Sequence, residues 1–177
     1  MYLERDEEER KRFREEISKI SPKNIIWVDE AGIDEIIYRP YARTDQGKRA
    51  YSDITGKRVS RTTIISGYCN GKLKSPMRFK GYTDKYVVNS WCEQLLSKEL
   101  KAGDVVIMDN AKFHTYSNAK NIIAKHGAKL IFQPKYSPDL NKIEPQWANL
   151  KNGIRKNNNS KQNFFQKLDQ QINKMMT

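Results

Sequence analysis

The sequence predicts an α/β domain built on a sheet of mixed strand direction, and three observations lead there. The first half holds apolar and β-branched runs at 24–28, 62–69 and 73–79, separated by turn signals. The second half alternates helical and strand patterns, in the order helix, strand, helix, strand, helix. Two apolar runs, Ile25-Ile26-Trp27-Val28 and Val105-Val106-Ile107-Met108, each run directly into an aspartate, Asp29 and Asp109. Open α/β sheets bind ligands in the crevice at such strand ends.

Each element has a local cause. Glu4 to Ile20 reads as a surface helix, with acids leading, bases following, and Phe13, Ile17 and Ile20 on one stripe. Ser21-Pro22 ends it. Asn24 to Val28 is a buried strand ending at Asp29-Glu30, and Ile36 to Tyr41 is a second strand that Pro40 confines to an edge or an end. Thr44 to Arg61 reads as a hairpin loop, Thr62 to Cys69 as a strand, and Asn70-Gly71 as a tight turn. Leu73 to Phe79 then pairs back as an edge strand because it contains Pro76.

Asp84 caps a helix reaching about Leu100, with Val88, Trp91, Cys92, Leu95 and Leu96 on one face. Val105 to Met108 is a strand, about Thr115 to His126 a helix closed by Gly127, and Lys129 to Phe132 a strand. After the loop Gln133 to Asn141 come two helices, 145–157 and 161–176, split by a polar Asn run. The expected division is an N-terminal surface helix at 1–23, a core domain at 24–157 and a C-terminal helix at 158–177.

Composition excludes several functions. The 177 residues suffice for one domain with a real core. No apolar run approaches the roughly 18 to 20 residues that span a bilayer, and Met1 to Arg14 is too charged for a signal peptide. Cys69 and Cys92 show no Cys-x-x-Cys spacing and read as reduced thiols of a cytoplasmic protein, nucleoid-associated in a bacterial host. With His114 and His126 the only histidines, a zinc site is not expected, and a catalytic metal would be held by oxygen. Gly56-Lys57 and Gly71-Lys72 lack the rest of a phosphate-binding loop.

The net charge of +12 is unevenly spread. Residues 24–38 carry four acids and no bases, whereas 39–85 carry 12 bases against 3 acids. Basic surface around a small acidic site suits a polyanion processed with metal ions, although a solvated basic surface without a specific partner has the same composition. The expected DNA-backbone patch is Arg39, Arg43, Lys48, Arg49, Lys57, Arg58 and Arg61, with Tyr41 and Tyr51 for stacking. Lys151, Arg155 and Lys156 form a second expected patch.

Asp29 and Asp109 at strand ends could cap turns, or could face one another and need a cation between them. Magnesium suits that role, since it takes carboxylate oxygens and keeps several waters. Glu144 lies just ahead of a helix and could complete a capping box with Asn141 or serve as a third ligand. Glu30, Asn110 and His114 adjoin these acids and either support the site from behind or satisfy local turns.

Trp27-Val28-Asp29-Glu30-Ala31-Gly32, Met108-Asp109-Asn110-Ala111-Lys112-Phe113-His114, and Tyr136 to Glu144 with Trp147 resemble three signature blocks. These are the blocks of the DDE transposases of the IS630/Tc1/mariner superfamily. The spacing agrees, with 34 residues between Asp109 and Glu144. The resemblance implies an RNase H-like fold, a five-stranded mixed sheet with its first three strands antiparallel, flanked by helices. It implies that Asp29, Asp109 and Glu144 bind two divalent cations, Mg2+ or Mn2+ as substitute, for DNA strand cleavage and transfer.

The resemblance implies further partners: double-stranded DNA at transposon ends and target, and a second copy of the chain working on the other end. Helix-turn-helix modules usual in the superfamily have no place before residue 24, so a separately encoded DNA-binding half is expected. A non-catalytic DNA-binding remnant and an RNase H-like nuclease on another substrate remain the alternatives. One departure stands in the third block. Pro145 follows Glu144, where members carry proline two residues before the glutamate, so the helix is expected to begin at or beyond 145 with Glu144 as its cap.

Overall fold

The computed structural model of the protein describes residues 5–35, 43–51, 60–115, 117–157 and 161–177. Its centre is a five-stranded sheet: β1 (Ile25–Asp34), β2 (Arg61–Cys69), β3 (Lys72–Lys80), β4 (Val105–Met108) and β5 (Lys129–Phe132). The spatial order is β3-β2-β1-β4-β5. β1, β2 and β3 pair antiparallel, while β4 and β5 run parallel to β1. This is the RNase H-like sheet. The expected strand at Ile36 to Tyr41 lies outside the described residues, as do positions 52–59 of the expected hairpin loop.

Alternation along the strands builds two cores. Ile25, Trp27, Ala31 and Ile33 face one side with Val105 and Ile107, under α1 (Glu7–Ser18), α5 (Glu144–Lys156) and α6 (Phe164–Met176). Ile26, Val28, Val106 and Met108 face the other, under α2 (Lys85–Gln94) and α4 (Ala119–Lys125). Both faces of β4 are covered, which is why its four residues read as an unbroken apolar run.

Three expectations about element boundaries need correction. β1 does not stop at Asp29; it continues to Asp34 because β2 pairs with it throughout, Asp29 opposite Ser66 and Asp34 opposite Arg61. Only its first part, Ile25 to Trp27, pairs with β4, so Asp29 lies beyond the parallel half of the sheet while remaining inside a strand.

The helix expected to Leu100 ends at Gln94 and gives way to a 3-10 turn at 96–98. There the Ser97 hydroxyl bonds back to the Glu93 carbonyl at 2.6 Å. The helix expected at 115–126 is two pieces, α3 (Lys112–Thr115) and α4, with a break at Ser117 and Asn118. Ser117 Oγ donates to the His114 carbonyl at 2.6 Å, and Asn89 Oδ1 accepts from the Asn118 amide at 2.7 Å, so side chains satisfy backbone groups that a continuous helix would have used.

α1 begins where Asp6 accepts from the amides of Glu8 and Glu9, and α6 where Asn163 and Gln166 close a capping box. No helix among the described residues is long and apolar enough to cross a membrane.

Candidate active site

Asp29 and Asp109 come together through strand register. β1 pairs with β4 at an offset of 80 positions, Ile25 with Val105 and Trp27 with Ile107. Asp109 follows Asp29 by the same 80 positions, so the two acids fall at the same level of neighbouring strands, two residues past the last paired ones. Asp29 shares the face of Trp27 and Ala31, toward α5, and Glu30 points to the opposite face.

α5 brings the third acid. Its first residue is Glu144, and Pro145 occupies the second position, where a missing amide hydrogen removes no intrahelical bond. Glu144 therefore stands inside the first turn rather than at the cap, which corrects the expectation drawn from Pro145. The Ile143 that precedes it keeps α-helical angles and is fully buried, and this anchors the turn. The Asn141 side chain accepts from the Ile143 amide and not from that of Glu144, and the N-cap residue Ile143 makes no side-chain capping bond, so Glu144 does not complete a capping box with Asn141.

Asp29, Asp109 and Glu144 line one cleft of about 440 Å³ together with Asn110, Lys112, Gln133, Lys135, Tyr136 and Asn141. Their surroundings differ. Trp147, one turn into α5, donates from Nε1 to Asp29 Oδ2 at 3.0 Å. Burial pushes the Asp29 carboxyl up, the Trp147 bond pulls it back, and the Glu144 charge adds to the rise, leaving it at about 7.

Asp109 is held differently. His114 Nδ1 lies 2.6 Å from Asp109 Oδ1, the Ala111 amide donates to the same oxygen at 3.0 Å, and His114 Nε2 lies 2.9 Å from Glu30 Oε1. The His114 side chain is fully enclosed. Burial alone would lower its pKa, but a carboxylate on each ring nitrogen outweighs that and raises it to about 10, so the ring is an imidazolium. In turn burial would raise Asp109, and the His114 bond and charge hold it below the ordinary carboxylate range.

The donor set is oxygen throughout, which fits a hard divalent cation and not zinc. Among the described residues no three acid, histidine or cysteine side chains are gathered tightly enough to enclose an ion. The three acids line the same cleft, and the Glu144 charge is one of the causes that raise Asp29.

None of the expected DNA-binding bases among the described residues lines this cleft. Arg39, Lys57 and Arg58 lie outside the described residues, as does Tyr41. Arg43, Lys48, Arg49 and Tyr51 are exposed, and Lys48 pairs with Asp45 at 2.8 Å. Arg61 lines a separate hollow with Gly32, Tyr82 and Phe113. Lys151, Arg155 and Lys156 follow along α5, with Lys156 lining a groove against α6. The bases that do line the cleft, Lys112 and Lys135, escaped the sequence reading, which looked for clusters of charge. Their signal was adjacency to the acid-bearing blocks.

The sequence profile of the DDE superfamily endonucleases matches residues 24–166. The chain belongs to this family. The fold agrees with solved relatives of low identity. The catalytic domain of the Mos1 mariner transposase is 12% identical with a TM-score of 0.61, over 99% of this chain and 82% of that one. The Mos1 transposase paired-end complex with the left transposon end gives 16% identity and a TM-score of 0.65, over 83% of this chain and 47% of that one. A simian T-cell lymphotropic virus intasome gives 13% identity and a TM-score of 0.55, over 86% and 48%. The chain thus spans about half the length of the Mos1 transposase in its end complexes. No curated protein matches it. It is a DDE superfamily endonuclease domain with the fold of those transposase and intasome structures.

Proposed function

We propose that this DDE domain cleaves DNA at transposon ends and joins it to target, with Asp29, Asp109 and Glu144 holding two divalent cations, Mg2+ or Mn2+. The observation that carries the reading is one cleft lined by these three carboxylates, delivered separately by β1, the end of β4 and the first turn of α5. Cations bound there supply Lewis acidity to the attacking and leaving oxygens of an in-line displacement at phosphorus.

The protein's own groups do the rest. Trp147 orients Asp29, and His114, fixed by Glu30, holds Asp109 ionised through one oxygen. Asn110 stands at the cleft wall to orient water, while Lys112 and Lys135 are placed to bind phosphate oxygens. The exposed bases Arg43, Lys48, Arg49, Arg61 and Lys156, with the half-buried Lys151 and Arg155, extend the contact along duplex DNA. A second copy of the chain and a helix-turn-helix half complete the assembly on two ends.

The test is plasmid nicking with Mg2+ or Mn2+, beside Mn2+ binding to the chain. Asp109→Asn is expected to abolish nicking and weaken Mn2+ binding at least tenfold. Undiminished Mn2+ binding in that variant would overturn the cation-site reading. Salt-sensitive DNA binding with no nicking, even with a supplied end-binding half, would leave a non-catalytic remnant. Selective cutting of an RNA–DNA hybrid would make the chain a nuclease on another substrate.

A further inference from the structure

The loop that carries Glu144 is held from outside the span the family profile covers. α1 precedes residue 24, yet its Arg10 is among the largest fully buried side chains, at 1% exposure. The guanidinium donates from Nη1 to Asp139 Oδ1 at 3.1 Å and from Nη2 to Oδ2 at 2.7 Å, across 129 positions of chain. Arg5 Nη2 adds a 3.4 Å contact to the same carboxylate, and Glu7 lies 3.5 Å from Arg10 Nε. α1 cannot slide, because Phe13 is buried edge-on to Trp27 with ring centroids 6.4 Å apart.

Asp139 sits in the 3-10 turn Pro138–Leu140, whose neighbours Ser137, Pro138 and Asn141 line the cleft. From there the chain runs straight into α5. The Asn141 carbonyl accepts from the Glu144 amide at 3.3 Å, and Asn141 Oδ1 from the Ile143 amide at 3.4 Å. Four residues separate the pinned carboxylate from the third acid.

A buried arginine is an expensive way to fill space, since an apolar side chain of similar volume would cost no desolvation. What a bidentate pair adds is direction, because two parallel bonds fix both the place and the plane of the carboxylate. We propose that Arg10 is a positioning residue, which through Asp139 sets the 137–144 loop and aims the Glu144 carboxylate into the cleft toward Asp29 and Asp109. This rests on the three acids being cation ligands.

The experiment is a Mn2+ titration of the full chain without DNA, followed by paramagnetic broadening of the Trp147 indole N–H resonance, with Tm measured in parallel. Arg10→Met and Asp139→Asn are each expected to lower Mn2+ affinity about tenfold, and the double variant to lose no more than either alone. Arg10→Lys, which keeps the charge and loses the fork, is expected to recover affinity only in part.

Should Arg10→Met fail to fold, Asp139→Asn, changed at a half-exposed side chain, carries the test. A variant that lowers Tm and keeps wild-type affinity overturns the proposal, because Arg10 would then be structural only. If Asp109→Asn also leaves the titration unchanged, what falls is the cation site itself, and the two failures are told apart.

Discussion

The indole nitrogen of Trp147 donates a 3.0 Å hydrogen bond to Oδ2 of Asp29, so the helix that begins at Glu144 is tied to the strand that holds the first acid. Trp147 is otherwise a core residue at 4% exposure, and one bond makes it part of the site. Trp147→Phe keeps the packing and removes the donor. Loss of a bond to the charged form raises the Asp29 carboxyl further, and stability drops by about 1 kcal/mol. A carboxyl-carbon NMR titration reads the midpoint; an Asp29 midpoint equal to wild type would count against the coupling.

Asp29 makes stability depend on pH in a defined direction. Its folded pKa of about 7 lies above the value of 3.8 expected without the fold. The folded chain therefore binds the proton more tightly, and this group's contribution is fully present below pH 4 and lost as pH rises through 7. The loss is on the order of a few kcal/mol. Asp29→Asn is expected to be more stable than wild type at pH 8 with chelator present, and close to it at pH 4. Urea denaturation at both values decides, and a variant less stable at pH 8 would refute the sign.

His114 works in the opposite range. Its folded pKa of about 10 exceeds the ordinary 6.5, so its stabilisation is whole below pH 6.5 and disappears as pH climbs through 10. His114→Ala removes the cation between Asp109 and Glu30 and leaves two carboxylates facing each other. A loss of about 3 kcal/mol or more is expected at pH 7, with a smaller one for His114→Gln. Equal stability of His114→Ala and wild type in guanidinium would show that the bridge contributes nothing.

Cys92 tests the second core. Burial pushes its thiol up to about 12, and the side chain is fully enclosed beside Trp91. Since the thiolate is the reactive form, Cys92 is expected to resist alkylation for hours in the native chain and to react within minutes in denaturant. Rapid native labelling would mean that α2 does not pack as described.

Local pattern made much of this legible. The apolar runs ending at Asp29 and Asp109 announced both strands, Asn70-Gly71 announced the β2–β3 turn, and Pro76 placed β3 at the edge it occupies. What stayed hidden depended on contacts across long stretches of chain. The continuation of β1 past Asp29 follows from pairing with β2, and nothing near Asp29 signals it. The break between α3 and α4 depends on Asn89, contributed by another helix. Pro145 misled for a related reason: proline disfavours α geometry at its predecessor, Glu144, yet the helix starts at Glu144, behind a fully buried Ile143 that already has helical angles.

The sequence by itself determined the order of elements, the two strand-end aspartates, the family and the spacing of the three acids. These are properties of short segments, set by side-chain period and turn chemistry. Only the tertiary structure decided that an 80-residue strand offset puts Asp29 beside Asp109, that His114 is shared by Asp109 and Glu30, and that Arg10 reaches Asp139. Each of those joins residues far apart in the chain, so its energy exists only after the sheet and the helices on both its faces have packed.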